Sequence, residues 1–92
     1  MVHHVKEVTP MTDYVLLVRF TDGTEKQYDV KPLFHEITAF QSLTYVPRLF
    51  EHVKVDTGGF GVSWNDEIDL SCNELYENGS TLIVPDNMHI IK

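Results

Sequence analysis

The chain has 92 residues, with 7 Lys or Arg against 14 Asp or Glu, so its formal net charge is −7. That length fits a single domain, and 42% hydrophobic residues can build one modest core. The composition excludes a multidomain enzyme, a collagen-like or coiled-coil repeat, and a disordered chain. The acidic balance opposes direct binding to nucleic acid or to an anionic membrane, because phosphates are bound by Lys and Arg.

The cysteine content and the apolar runs indicate a compartment. Cys72 is the one cysteine, so neither an internal disulfide nor a cysteine-based zinc site can form. The first residues lack the apolar core of a signal peptide. No apolar run approaches the roughly 20 residues that span a bilayer. We therefore expect a cytoplasmic protein in which Cys72 is reduced.

An N-terminal edge strand ending at Pro10 precedes the clearest predicted element, a β-hairpin. Residues 14–20 are mostly β-branched, aliphatic or aromatic, and residues 24–30 alternate between polar and apolar. Between them lies Thr21-Asp22-Gly23. These runs are typical of two antiparallel strands joined by a short turn.

Charge decides the register of this hairpin. A two-residue Asp22-Gly23 loop would place Arg19 opposite Lys26, whereas a three-residue loop places Arg19 opposite Glu25. Cross-strand pairs contribute about 0.2–1 kcal/mol each. We therefore predict the three-residue loop, with Gly23 in the left-handed conformation that glycine adopts most readily.

A second hairpin is predicted around Gly58-Gly59, a two-residue loop signal. Pairing across it places Val55 opposite Val62 and Val53 opposite Trp64, all on one face. Polar residues and a glycine occupy the other face. This is the pattern of an antiparallel sheet with one buried side.

Short helical segments are predicted after Pro32 and after Pro47, because proline suits the first turn of a helix. Residues 65–70 are acidic and are predicted to form a loop. Ser71 and Glu74 have the spacing of a capping box, and Gly79 marks the end of the helix that follows.

These elements predict an α+β fold: a mostly antiparallel sheet from two β-hairpins plus an N-terminal strand, with short helices on one face. The domain is expected to span residues 1–79, followed by an apolar extension over 80–92. The predicted core consists of Leu16, Val18, Phe20, Tyr28, Leu33, Phe34, Phe50, Val53, Val55, Val62, Trp64, Leu70 and Leu75.

The sequence offers no metal, cofactor or catalytic constellation. The five histidines lack the spacing of a zinc site: His3 and His4 are adjacent, and His35, His52 and His89 are scattered. Cys72 lies on the predicted helical face of Leu75 and is interpreted as a small buried apolar residue. We expect no enzyme activity.

The region from Trp64 to Asp69 is the densest acidic segment, with Asp66, Glu67 and Asp69 close together. Paired carboxylates can act as acid and base or can bind a divalent cation. A solvated acidic loop beside a helix is the simpler interpretation, and we favour it. The candidate interaction or ligand region consists of Trp64, Asp66, Glu67 and Asp69.

Several motifs along the chain form an ordered set: Phe20-Thr21-Asp22-Gly23, Tyr28-Asp29-Val30, Leu49-Phe50, Val53, Val55, Gly61-Val62, Trp64, Ile68-Asp69-Leu70, Leu75-Tyr76 and Gly79. This set resembles domain of unknown function family 2442, a family of small bacterial proteins. The resemblance covers about residues 2–79. It departs from the family at Asn65 to Ile68, where many members carry a tryptophan and a turn with proline or glycine.

The resemblance implies a compact α+β domain with two hairpin layers and no established activity. Some members are fused to a helix-turn-helix, and others are encoded beside a second small protein, an arrangement similar to a toxin–antitoxin pair. No DNA-binding helix-turn-helix is evident in this sequence.

Three functions remain open. We favour an acidic interaction module that binds a small basic protein. A small ligand-binding domain or enzyme using the region from Trp64 to Asp69 is the alternative, and a transcription regulator acting with a partner is the second alternative.

The extension from residue 80 is rich in large apolar side chains. Either it adds a strand to its own sheet or it binds a second copy of the chain as a homodimer. The residues expected to carry this self-association are Leu82, Val84, Ile90 and Ile91.

Overall fold

A computed structural model describes residues 3–81 of the chain. Its strands are β1 (Val5–Pro10), β2 (Val15–Phe20), β3 (Glu25–Asp29), β4 (Lys54–Val55), β5 (Gly61–Asn65), β6 (Ile68–Ser71) and β7 (Ser80–Thr81). Its α-helices are α1 (Leu33–Glu36), α2 (Ser42–Tyr45) and α3 (Cys72–Asn78). Short 3₁₀ helices cover Thr12–Tyr14, Thr38–Gln41, Phe50–His52 and Thr57–Gly59.

The strands form two antiparallel sheets, in the orders β1-β2-β3-β7 and β4-β5-β6. This confirms the prediction of an α+β fold with antiparallel strands. The two predicted hairpins lie in separate sheets. In each sheet a further strand forms a second hairpin: β1 pairs with β2, and β6 pairs with β5. The N-terminal strand β1 is an edge strand, as predicted, and pairs with β2.

The predicted register of the first hairpin is confirmed. Arg19 lies opposite Glu25, and its Nε donates to Glu25 Oε2 at 2.9 Å. Leu16 lies opposite Tyr28 on the buried face. Gly23 has a φ of +91°, the left-handed conformation that the three-residue loop requires.

The second hairpin has the predicted register but a longer loop. Val55 lies opposite Val62, and pairing ends where the Asp56 amide donates to the Gly61 carbonyl at 2.9 Å. Thr57–Gly59 then forms a 3₁₀ turn instead of continuing the strand. The predicted two-residue loop is therefore wrong, and five residues, 56–60, connect β4 to β5.

The physical reason for the longer loop is its contact with the other sheet. Gly59 packs directly against β1: a Cβ on Gly59 would lie 2.7 Å from the Val5 carbonyl oxygen. Its φ of +74° is also left-handed. The loop is thus shaped to fit the first sheet.

The acidic stretch after Trp64 was predicted to be a loop, and this is wrong for its second half. Ile68 begins β6, which pairs with β5, and both Ile68 and Leu70 are buried. Only the turn remains irregular, where Asn65 Oδ1 accepts hydrogen bonds from the amides of Glu67 and Ile68 at 2.8 and 3.0 Å. The burial of Ile68 and Leu70 favours the strand more than the exposed charge of Asp69 opposes it.

Helix α3 begins and ends where the sequence predicts. Ser71 Oγ accepts a hydrogen bond from the Glu74 amide at 3.0 Å. The helix ends at Asn78, and the Gly79 amide donates to the Leu75 carbonyl. A side-chain cap of this kind satisfies one of the amides that the first turn of a helix leaves free.

A single cluster of buried apolar side chains combines residues of both sheets and α3. Most of the predicted core is buried, and the four exceptions pack at its margin: Leu33, Phe34, Val53 and Val55. Six further residues are buried: Val5, Val30, Phe40, Leu43, Ile68 and Cys72. The burial of Cys72 confirms its interpretation from the sequence, whereas the other five are not among the predicted core residues.

The extension predicted from residue 80 is described only at its start. Ser80 and Thr81 form β7, which pairs with Gln27 and Lys26 of β3. The residues predicted to self-associate, Leu82, Val84, Ile90 and Ile91, lie outside the described residues. No helix within residues 3–81 has the length and apolar character needed to cross a membrane.

Candidate interaction surface

The structure separates Trp64 from the carboxylates with which it was grouped. Its indole is buried in the core, where Nε1 donates to the Phe50 carbonyl at 3.0 Å. The indole also stacks on the Phe50 ring and meets the Phe40 ring edge to face. Trp64 therefore has a packing role, with its polar atom satisfied inside the fold.

The carboxylates of Asp66, Glu67 and Asp69 are exposed on the β5–β6 hairpin. None of the three forms a salt bridge with another described residue. Within residues 3–81, no group of three or more His, Cys, Asp or Glu side chains is placed to hold a metal ion. These carboxylates form an outward-facing charged turn.

A second acidic feature was not predicted. Where β3, α1 and α3 meet, a hollow of about 290 Å³ is lined by three acidic residues, Asp29, Glu36 and Glu74. Tyr28 and Leu33 provide part of its wall. Among the described residues, no Lys or Arg lines it. We call it the acidic hollow.

Glu74 is fixed in the acidic hollow by two hydrogen bonds. Tyr28 Oη donates to Glu74 Oε2 at 2.7 Å, and Asn78 Nδ2 donates to Oε1 at 2.9 Å. Burial raises the pKa of Tyr28, and the hydrogen bond and negative charge of Glu74 raise it further, with a smaller effect from Glu36. The hollow is thus a region of negative potential with a fixed geometry.

Lys31 lies between Asp29, which lines the acidic hollow, and the carboxylate of Asp13. Its Nζ lies 3.0 Å from Asp29 Oδ1 and 3.1 Å from Asp13 Oδ2. The hydrogen bond to Asp29 is the main cause that raises the pKa of Lys31, and Asp13 adds to it. One cation therefore links two carboxylates that belong to different surface depressions.

Two motif residues of the family resemblance meet at the other end of the first hairpin. Tyr76 Oη donates to Asp22 Oδ2 at 3.0 Å, and the Thr24 amide donates to Asp22 Oδ1 at 2.9 Å. The His3 ring stacks on the Tyr76 ring, with centroids 3.5 Å apart, and its Nδ1 lies 3.6 Å from Asp22 Oδ2. The hydrogen bonds from Thr24 are the main cause that lowers the pKa of Asp22, and the hydrogen bond from Tyr76 and the electrostatic interaction with His3 lower it further.

Cys72 adjoins this cluster but is not activated by it. Its thiol is buried, and Sγ donates to the His3 carbonyl at 3.1 Å. Burial raises the pKa of the Cys72 thiol, and the negative charge of Asp22 raises it further. Because the thiolate is the nucleophilic form, this environment suits a structural cysteine.

A protein-family model described as a protein of unknown function (DUF2442) matches residues 5–81. The chain belongs to the DUF2442 family. No curated protein and no solved structure gives a significant match. The DUF2442 match includes Asp22, Tyr76 and β7, whereas His3 precedes it. The family resemblance found in the sequence is thereby confirmed.

Sequence reasoning missed the acidic hollow because two of its carboxylates have a local explanation and the third, Glu36, belongs to no motif. Asp29 was assigned to the hairpin, and Glu74 to the capping box with Ser71. In the structure the Glu74 carboxylate instead accepts from Tyr28 and Asn78.

Proposed function

We propose that this DUF2442 protein is an acidic interaction module in the cytoplasm and that its partner is a small basic protein. The acidic hollow carries the proposal: Asp29, Glu36 and Glu74 line it, no Lys or Arg of the described chain does, and of the three carboxylates only that of Asp29 is paired with a described cation, Lys31. A lysine or arginine side chain has the length and charge to enter such a depression beside Tyr28. The pair would be of the toxin–antitoxin type that the family resemblance implies.

The arrangement of the protein's own cations supports this proposal. Arg19 is paired with Glu7 and Glu25, and Arg48 is paired with Glu51. Lys26 Nζ donates to the Tyr76 carbonyl. Of the six Lys and Arg within residues 3–81, only Lys6 and Lys54 have no side-chain partner among the described residues. Two lysines are few for binding phosphates, which argues for a protein partner over nucleic acid.

The proposal is tested with a charge-neutral variant of the hollow. Glu74→Gln removes the charge but keeps an oxygen that can accept from Tyr28, so the fold should be retained. The full chain is used to capture proteins from its source cells, and the captured basic protein is purified and titrated by calorimetry. We expect Glu74→Gln to bind about tenfold more weakly, because a partly desolvated charge pair is lost.

Glu77→Gln is the matched control. Glu77 lies on the same helix, is exposed, and is not part of the hollow. Its replacement by glutamine changes the net charge by the same amount as Glu74→Gln. We expect this variant to bind like the wild type. Equal weakening by the two variants, or a partner that is not basic, would contradict the proposal.

A further inference from the structure

A second depression lies on the far side of Lys31 from the acidic hollow. It is an open groove of about 570 Å³ between residues 11–14 and residues 43–51. Its wall includes Asp13, whose carboxylate is bridged by Lys31 to Asp29 of the acidic hollow. The two depressions therefore adjoin.

The backbone of this groove is strained. Asp13, Tyr14 and Arg48 have φ values of +62°, +59° and +63°, and they are the non-glycine residues with positive φ in the described chain. All three line the groove. Such conformations persist only where the surroundings fix them, and they concentrate at binding sites. We call this depression the strained groove.

Local contacts hold the strained backbone in place. The Tyr14 ring packs edge to face on Phe34 and Phe50, with centroids 5.2 and 5.3 Å apart. Lys31 Nζ donates to the Asp13 carbonyl at 2.6 Å as well as to its carboxylate. The shape of this wall is thus set by the core and by Lys31 before anything binds.

The groove exposes apolar side chains that the core does not use. Met11, Tyr45 and Val46 line it and are 43%, 70% and 40% exposed. Only Ile37 and Phe60 are other large apolar residues with comparable exposure in the described chain. Concentrated exposure of this kind marks an interaction site, whereas scattered apolar residues need no explanation.

The charges at the rim indicate what the groove would accept. Asp13 and Glu51 line it, and its one lining cation among the described residues, Arg48, is paired with Glu51 at 3.5 Å. The adjoining acidic hollow adds further negative charge. An apolar side chain flanked by lysine or arginine complements both the exposed carbon surface and these carboxylates.

We infer that the strained groove receives an apolar anchor from a lysine- or arginine-rich segment of the partner protein. This inference rests on the proposed function and adds the surface at which the apolar part of the partner binds. The segment lies across Lys31, with its anchor beside Tyr45 and its basic residues toward Asp13 and the acidic hollow.

The test uses the full chain and two short synthetic peptides, one with a central tryptophan flanked by lysines and one with every lysine replaced by glutamate. Amide chemical shifts are followed by NMR during titration. We expect the lysine peptide to shift the amides of residues 11–14 and 43–48, and the glutamate peptide to shift none. Tyr45→Ala should weaken binding of the lysine peptide about tenfold, because exposed aromatic residues of this kind act as anchors.

Phe60→Ala provides the matched control, because Phe60 is 65% exposed and lies outside the groove. It should bind the lysine peptide like the wild type. Shifts confined to the amides of Glu36 and Glu74 would overturn the inference while leaving the proposed function intact. Equal binding of the two peptides would overturn the role assigned to the rim carboxylates.

Discussion

Gly23 fixes the first hairpin through its backbone alone. Its φ of +91° allows the chain to reverse over three residues, which aligns Arg19 with Glu25. A Cβ at this position would meet no atom within 4 Å, so lack of space for a Cβ is not what requires glycine. The requirement is conformational, because residues with a Cβ are strained at such a φ.

Replacement of Gly23 by valine should therefore destabilise the protein by about 1 kcal/mol or more, through backbone strain. The measurement is the free energy of unfolding from urea titration. Gly23→Asn is the control, because asparagine tolerates the left-handed conformation better than β-branched residues do. Equal stability of the valine variant and the wild type would show that the turn does not depend on this conformation.

The loop between β4 and β5 connects the two sheets at the level of whole elements. Gly58 and Gly59 both have a left-handed φ, but their surroundings differ. A Cβ on Gly59 would collide with the backbone of β1, whereas a Cβ on Gly58 would collide with the exposed ring of Phe60. The ring can move and the β1 backbone cannot move without displacing its sheet.

The two alanine variants separate these effects. Gly58→Ala carries the strain of a left-handed φ, and Gly59→Ala carries a similar strain plus the collision with Val5. We expect Gly59→Ala to be the less stable variant by about 1 kcal/mol or more, by comparison with the cost of overpacking. Thermal unfolding of both variants tests this difference. Equal melting temperatures would mean that the loop and β1 are not in tight contact.

Sequence patterns predict an element when the residues of that element themselves determine how its strands pair. The first hairpin was predictable because the charge of Arg19 and the position of Gly23 distinguish its registers. The start of β6 was hidden, because the acidic residues between Trp64 and Leu70 obscure the alternation of Ile68 with Leu70. The β4–β5 loop depends on β1, which lies far away in the chain.

The acidic hollow could not be predicted for a related reason. Its carboxylates come from the end of β3, the end of α1 and the first turn of α3, and they meet only because these elements pack together. Three non-adjacent segments must be placed to see it. Of the candidate region predicted from sequence, the acidic turn remains on the surface while Trp64 belongs to the core.

At the scale of the whole molecule, Asp22 links its own turn to two distant parts of the chain. It binds its own turn through Thr24, α3 through Tyr76, and the segment before β1 through His3. Each contact favours the ionised carboxylate, and together they lower its pKa. The ionised form of Asp22 therefore links the hairpin tip to the remainder of the fold.

This linkage predicts a dependence of stability on pH. A carboxylate whose pKa is lowered in the folded state stabilises the fold at pH values above the pKa that it has in the unfolded chain, about 3.9. This contribution is lost as the pH falls through the lower pKa of the folded state. Thermal unfolding between about pH 6 and pH 2 should show that loss in the wild type. Asp22→Asn should be less stable near neutral pH and should approach the wild type in acid.

Asp66→Asn is the control for the pH experiment, because Asp66 is exposed on the β5–β6 turn. Its stability should follow the wild-type pH profile. A difference between wild type and Asp22→Asn that stays constant down to acid pH would contradict the assigned role of the Asp22 carboxylate.

Lys31 gives the surface a property that its net charge does not reveal. Because its ammonium group is already paired with the carboxylates of Asp13 and Asp29, Lys31 competes with any incoming cation for these two carboxylates. A group held on the same chain acts at an effective concentration of roughly millimolar or more, set by the tether. Binding of a partner's lysine at these carboxylates would thus exchange one ammonium for another. Selectivity would then come from the partner's arrangement of several cations and an apolar anchor, which a single free cation cannot imitate.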